Sequence, residues 1–233
     1  MEFTDQLVPL LTLIALEVIL GIDNIIFISI LADKLPEAQR PKLRLWGIGM
    51  ATVMRLGLLA AVAWIISLDK TLFTVLDNAI SGKDLILLLG GIFLLYKATK
   101  EIYHKTEAVE TGPTAGAAAT FGAMLGQVLL LDLVFSVDSI ITAVGMVSEV
   151  WVMYTAVIVT VIIMLVAAKP ISNFISEHPS FKVLALCFLL IIGMSLVAEG
   201  LDFKIPKGYI YFSMAFSFLV DVIQMKTVKK KTA

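Results

Sequence analysis

The chain has 233 residues, of which 59% are hydrophobic, and its mean hydropathy is +0.97. Soluble domains contain about 45–50% apolar residues, so this composition excludes an ordinary water-soluble fold. The formal net charge of -1 comes from scattered residues that form no basic stripe with aromatic neighbours, which excludes a nucleic-acid-binding protein. Cys187 is the only cysteine, so neither a disulfide framework nor a cysteine zinc site can form within one chain.

Seven apolar windows are long enough to cross a bilayer, which requires about 20 residues in a helix. The sequence therefore predicts an all-α polytopic bundle of seven transmembrane helices. In chain order, the predicted spans are residues 7–31, 43–68, 84–103, 119–147, 150–171, 181–199 and 209–225. Glu2 and Asp5 occupy the place where a signal peptide would be basic, so we expect the first helix to be retained.

Basic residues are concentrated in alternate loops, which predicts the orientation. One side of the membrane holds most of them, namely Lys34, Arg40, Lys42, Arg44, Lys97, Lys100, Lys105, Lys169, Lys182, Lys226, Lys229, Lys230 and Lys231. The other side holds Lys70, Lys83, Lys204 and Lys207. The positive-inside rule then places the N-terminus outside and the C-terminus in the cytoplasm.

A stretch of small and polar residues, 106–118, lies between the third and fourth spans and contains Gly112, Pro113 and Gly116. This composition is typical of a linker. We therefore predict a first three-helix repeat at 1–105, a cytoplasmic linker at 106–118, and a second three-helix repeat at 119–203. A seventh helix with a basic cytoplasmic tail follows at 204–233.

The first and fourth spans carry matching polar residues. In the first span, Glu17 is followed by Asp23 and Asn24, and in the fourth span Asp132 is followed at the same spacing by Asp138 and Ser139. The third spans match more weakly, through Gly91 and Gly193. Because three helices separate the two copies, the second copy must run in the opposite direction. The sequence therefore predicts an inverted-topology repeat, which is common in transporters.

These acidic residues lie at membrane depth, where each ionised side chain costs about 2.5–3.5 kcal/mol on insertion scales. Such residues indicate function. The two acids within each span lie about 9 Å apart along a regular helix and are rotated by roughly 120°. Both could face one ion only if the helix bent or unwound, and Gly21 and Ser136 lie at suitable positions for such a break.

The candidate ligands all offer oxygen atoms; they are Glu17, Asp23, Asn24, Asp132, Asp138 and Ser139. Oxygen ligands without thiolate or imidazole favour Mg²⁺, Ca²⁺ or Mn²⁺ over Cu⁺ or Zn²⁺. No permanent cofactor is expected, because the metal ion would be the transported substrate.

Arg55 is the one basic residue near the middle of a span, and we assign it as the counter-ion of one carboxylate. Four acids and one arginine leave a formal charge of -3, and a bound divalent cation leaves -1. At least one carboxyl group should then bind a proton or a second cation, which suggests coupling to H⁺ or Na⁺. The alternative is a purely structural network of ion pairs.

Five segments resemble the TerC family of integral membrane proteins: LEVILGIDNIIFISILADKLP (16–36), ATVMRLGLL (51–59), GGIFLLYKATKEI (90–102), LLDLVFSVDSIITAVGM (130–146) and IGMSLVAEG (192–200). The resemblance implies a bacterial inner-membrane protein of the lysine-exporter superfamily, in the short form without a C-terminal soluble domain. It also implies a link to manganese export and metal homeostasis. The acidic residues that correspond to the two family motifs are Glu17, Asp23, Asp132 and Asp138.

Residues and resemblance together predict a divalent cation transporter, with Mn²⁺ favoured, that exports by alternating access in exchange for H⁺ or Na⁺. The expected partners are the metal ion and the lipid bilayer, and assembly into a homo-oligomer stays open. Three alternatives remain: an exporter of a small organic cation such as lysine, a non-transporting factor for membrane assembly or metal supply, and an intramembrane aspartyl protease. The protease is disfavoured, because the aspartates occur in duplicate with a Glu and an Asn. We expect no enzyme activity.

Overall fold

The computed structural model describes residues 3–67, 70–75, 78–107, 120–147, 149–203 and 205–227, and their side chains except at 3–5, 23, 63, 67, 75, 78 and 79. Most of the predicted linker, and Lys229, Lys230 and Lys231 of the tail, lie outside these ranges. The helices are α1 (Phe3–Ala32), α2 (Arg40–Ala60), α3 (Val62–Ser67), α4 (Gly82–Thr106), α5 (Phe121–Met146), α6 (Val150–Glu177), α7 (Pro179–Glu199) and α8 (Lys207–Thr227). A 3₁₀ turn (Glu37–Gln39) precedes α2, and two strands, β1 (Thr71–Val75) and β2 (Asn78–Ser81), precede α4.

The protein is an all-α polytopic membrane protein. Within the described residues, six helices are long and apolar enough to cross a membrane: Gln6–Ala32, Glu37–Ala60, Phe121–Met146, Val150–Glu177, Pro179–Glu199 and Lys207–Thr227. The predicted count was seven. Helix α4 is long enough, with 25 residues, but it is not among the six. The reason is its charge, because Lys83, Asp84, Lys97, Lys100 and Glu101 interrupt its apolar sequence.

The second predicted span is shorter than expected, and a small hairpin follows it. We predicted a helix over 43–68, but α2 ends at Ala60, and Ala61 leaves the helical region with φ -93° and ψ 26°. Strands β1 and β2 then pair antiparallel, with Thr74 opposite Ala79. The β-branched and aromatic sequence TLFTV favours a strand, which competes with continuation of the helix. Helix α4 begins directly after β2 with a capping box formed by Ser81 and Asp84.

Among the described residues, the long helices of the first half of the chain pack against those of the second half, in three pairs. Helix α1 lies mainly against α6, α2 against α5, and α4 against α7, while α1 and α5 also contact each other. Where α4 crosses α7, two glycines face each other: a Cβ atom added at Gly91 would lie 2.7 Å from the backbone oxygen of Gly193. Helix α8 packs mainly against α7. This arrangement places the acidic segments of α1 and α5 side by side in the interior.

Candidate functional site

A buried ion cluster joins three helices near the centre of the bundle. The guanidinium of Arg55 in α2 forms ion pairs with Glu17 of α1 and with Asp132 of α5; the Nη2–Oδ1 distance to Asp132 is 2.9 Å. The three side chains are 6%, 8% and 7% exposed, respectively. Arg55, which we assigned as the counter-ion of one carboxylate, therefore contacts two.

Two neutral side chains complete the hydrogen bonding of this cluster. Arg55 Nε donates to Ser136 Oγ at 3.1 Å, and Ser136 Oγ donates to Asp132 Oδ2 at 3.2 Å. Asn24 Nδ2 donates to Asp132 Oδ1 at 3.2 Å. Both side chains are buried. We call Glu17, Asn24, Arg55, Asp132 and Ser136 the central cluster.

Helical spacing explains why these residues meet. Residues seven apart on a regular α-helix lie within about 20° of each other, so Glu17 and Asn24 share one face of α1. Residues four apart are also neighbours, which places Asp132 and Ser136 on one face of α5. Contact between α1 and α5 brings the two faces together.

The sequence left open whether the helices break at Gly21 and Ser136, and in the structure α1 and α5 are continuous through both positions. Gly21 instead allows close packing of α1 against α6. A Cβ atom there would lie 2.8 Å from the Sδ atom of Met164. Ser136 is fully buried and bonds within the central cluster, so it contributes a polar group and not a flexible point.

The remaining predicted ligands lie elsewhere. Because α5 is regular, Asp138 is rotated by roughly 120° and displaced by about 9 Å from Asp132. Its Oδ2 atom pairs with the ammonium of Lys207 at the start of α8. Ser139 Oγ donates to the backbone carbonyl of Ser136 at 3.3 Å. Asp23 lies within α1, and its side chain is outside the described part of the chain.

The predicted ligands therefore lie in two separate places in the structure. Glu17, Asn24 and Asp132 belong to the central cluster, whereas Asp138 pairs with a lysine. Among the described side chains, no three His, Cys, Asp or Glu residues form a group that could hold a metal ion.

The central cluster carries an excess negative charge. Two carboxylates and one guanidinium give a formal charge of -1 in a buried environment. Beside the cluster lies a small cavity of about 20 Å³. Asn24, Arg55, Asp132 and Thr52 are its polar lining residues. A cavity of this size holds roughly one water molecule, so there is room for one small cation next to oxygen ligands.

Sequence reasoning missed two features of the site. Ser136 was considered only as a helix break, although its spacing of four residues from Asp132 indicates a shared face. Lys207 was counted only as a loop residue. No local pattern pairs it with Asp138, because the two residues are 69 positions apart.

Comparison with known sequences identifies the family of the chain. A sequence model of the integral membrane protein TerC family matches residues 2–233. The chain belongs to the TerC family. This TerC chain is 52% identical over 214 residues to the UPF0053 inner membrane protein YoaE of Escherichia coli strain K12. The matched region covers 91% of this chain and 41% of YoaE.

Shorter relatives of this TerC protein match along most of their length. The UPF0053 inner membrane protein YgdQ of the same strain is 48% identical over 219 residues, or 94% of this chain and 92% of YgdQ. A UPF0053 protein of Haemophilus influenzae is 48% identical over 227 residues, or 94% of this chain and 93% of that protein. The chain thus spans about two fifths of YoaE and nearly all of YgdQ. No solved structure matches.

Proposed function

We propose that this TerC protein transports a divalent metal cation, with Mn²⁺ favoured, and that the cation binds the carboxylates of the central cluster. Glu17 and Asp132 are the proposed ligands at the centre, with Asn24 beside them and Asp23 as a further acid of the same segment. Asp138 and Ser139 lie on the route of the ion. Arg55 compensates the carboxylates when no metal ion is bound.

The observation that carries this proposal is the excess of negative charge around Arg55. A structural ion pair needs one acid for one base, and a second buried acid costs several kcal/mol unless a cation compensates it. Here Glu17 and Asp132 both contact the same guanidinium. A cation that binds both acids while Arg55 turns away would satisfy the charges in a second state. A surplus acid also provides a site for H⁺ or Na⁺, which we propose as the exchanged ion.

The packing of the helices supports a mechanism of alternating access. In the proposed repeat, α1 corresponds to α5, α2 to α6, and α4 to α7. The contact between α1 and α6 then has a counterpart in the contact between α5 and α2, and both contacts are extensive. Gly91 and Gly193, which the repeat aligns, face each other between α4 and α7. We therefore propose an inverted repeat with α4 as one of seven spans. Rocking of one half against the other would expose the central cluster to each side in turn.

We propose the bacterial inner membrane as the location, with the N-terminus outside and the C-terminus in the cytoplasm. The basic loops support this orientation, and YoaE and YgdQ are named as inner membrane proteins. We propose export as the direction of transport.

The test is Mn²⁺ flux into liposomes that contain the purified protein. Asp132→Asn should reduce flux to the level of empty liposomes, because it removes one of the two central carboxylates. It leaves Arg55 paired with Glu17 and therefore electrically balanced, so the variant should fold. Glu177→Gln, at the exposed end of α6, is the matched control and should transport like the unmodified protein.

The same assay separates the alternatives. Mg²⁺, Ca²⁺ and lysine are compared with Mn²⁺, and a pH or Na⁺ gradient is imposed to detect exchange. Flux of lysine alone would favour an organic cation exporter, and absence of flux for every substrate would favour an assembly or metal-supply factor. Normal Mn²⁺ flux in Asp132→Asn would contradict the proposed site.

A further inference from the structure

A second group of charged residues lies at the end of the bundle where α4 and α8 begin and α7 ends. Lys207 of α8 pairs with Asp138, and Lys83 of α4 lies 3.4 Å from Glu199 of α7. The carboxylates of Asp138 and Glu199 also interact with each other electrostatically. An acid of α5 and an acid of α7 therefore lie in one region, and two lysine side chains compensate them. The positive-inside rule predicts this end to be the outer one.

Asp138 is incompletely satisfied in this arrangement. It is 5% exposed, and its Oδ1 atom is buried without a hydrogen-bond partner among the described residues. A buried carboxylate oxygen without a partner is costly and calls for a ligand. Lys207 occupies only Oδ2, and its own side chain is 32% exposed. The ammonium thus enters from the surface and leaves one ligand atom of Asp138 unused.

We propose that Asp138 and Glu199 form a second cation site on the transport route, and that Lys207 occupies it as a tethered substitute for the metal ion. This proposal rests on the proposed function, since it assigns the site to the same divalent cation. An ammonium and a divalent cation both bind carboxylate oxygen, but the metal ion can bind Oδ1 and Oδ2 together. An ion arriving from the central cluster would displace Lys207 toward solvent, and Lys207 would return when the ion left the protein on the outer side.

Because α8 is loosely packed, Lys207 can leave and return with little change in the packing of the helices. Helix α8 contacts mainly α7, and among its described residues only Ile210 and Met214 are buried. Lys207 is its first residue, and a lysine side chain has a flexible stem of four carbons. The ammonium can therefore leave Asp138 without repacking the bundle.

The test is a count of bound Mn²⁺ by equilibrium titration of the full chain in detergent, extended to millimolar concentrations because sites with few acids bind on the order of 10⁻⁴ to 10⁻³ M. At Mn²⁺ concentrations too low to displace Lys207, Lys207→Gln should bind one Mn²⁺ more than the unmodified protein, and at saturation the two counts should become equal. Lys207→Arg, which keeps the positive charge, and Lys226→Gln, at the far end of the same helix, should bind the same number as the unmodified protein. Adding Asp138→Asn to Lys207→Gln should remove the extra ion.

A second measurement uses the unmodified protein and does not depend on a variant that folds. Saturating Mn²⁺ should increase the rate at which an amine-specific reagent modifies Lys207, and the rate at Lys226 should not change. Equal counts in Lys207→Gln and the unmodified protein at every Mn²⁺ concentration, or an unchanged rate at Lys207, would overturn the proposal. Because the count is a difference between two proteins, it still reports on this site if the central cluster binds no metal ion.

Discussion

Replacement of Arg55 by methionine is expected to destabilise the protein by about 3–5 kcal/mol, the usual cost of removing one partner of a buried ion pair. Arg55 contacts both Glu17 and Asp132, and all three side chains are nearly inaccessible. Methionine fills much of the same space, so the loss comes mainly from two uncompensated carboxylates. Thermal or denaturant unfolding of the purified protein in detergent measures it. Lys226→Met, which removes an exposed lysine, is the control and should be nearly neutral.

The Arg55→Met protein also tests the metal site directly. Without the guanidinium the central cluster has a formal charge of -2, which one divalent cation balances. Mn²⁺ at about 100 times its dissociation constant should therefore restore about 2.7 kcal/mol. Adding Glu17→Gln and Asp132→Asn should restore stability without metal and abolish the Mn²⁺ effect. If Mn²⁺ stabilises Arg55→Met no more than Lys226→Met, the central cluster is a structural ion network and not a cation site.

Replacement of Gly91 by alanine is expected to destabilise the protein by about 1–3 kcal/mol, the range found for overpacked interiors. The added methyl group would lie 2.7 Å from the backbone oxygen of Gly193 and 2.9 Å from the backbone nitrogen of Val197. Backbone atoms cannot move aside as a side chain can, so α4 and α7 would have to separate. Unfolding measurements as for Arg55 report the change.

Gly126→Ala is the matched control for this substitution. Gly126 lies in α5, and nothing lies within 4 Å of the Cβ position. Alanine should therefore be neutral or stabilise the helix by up to about 1 kcal/mol. Equal stability of Gly91→Ala and Gly126→Ala would show that the α4–α7 crossing tolerates a wider separation. Mn²⁺ flux should fall in Gly91→Ala, because the proposed rocking of the two halves includes this crossing.

Much of the fold could be read from local sequence. Long apolar segments must become helices in a bilayer, since backbone groups there have no water to bond with, and this rule needs no tertiary information. It predicted each of the six helices suited to a membrane, and the charge argument selected Glu17, Asp132 and Arg55 before any contact was known. Helix α4 has charged residues at both ends of its apolar stretch, which is why its predicted membrane span stays a proposal.

The tertiary structure decided which of the selected side chains meet. The sequence indicated four acids at membrane depth, but it left open whether α1 and α5 bend. A bend in α5 would have placed Asp132 and Asp138 together. Packing of Gly21 against Met164 and the hydrogen bonds of Ser136 are compatible with continuous helices, and the rotation along a continuous helix separates the two aspartates. The pairing of Asp138 with Lys207 likewise depends on where α8 packs. Helical periodicity is a local property, whereas the neighbour that each face meets is set only when distant helices pack together.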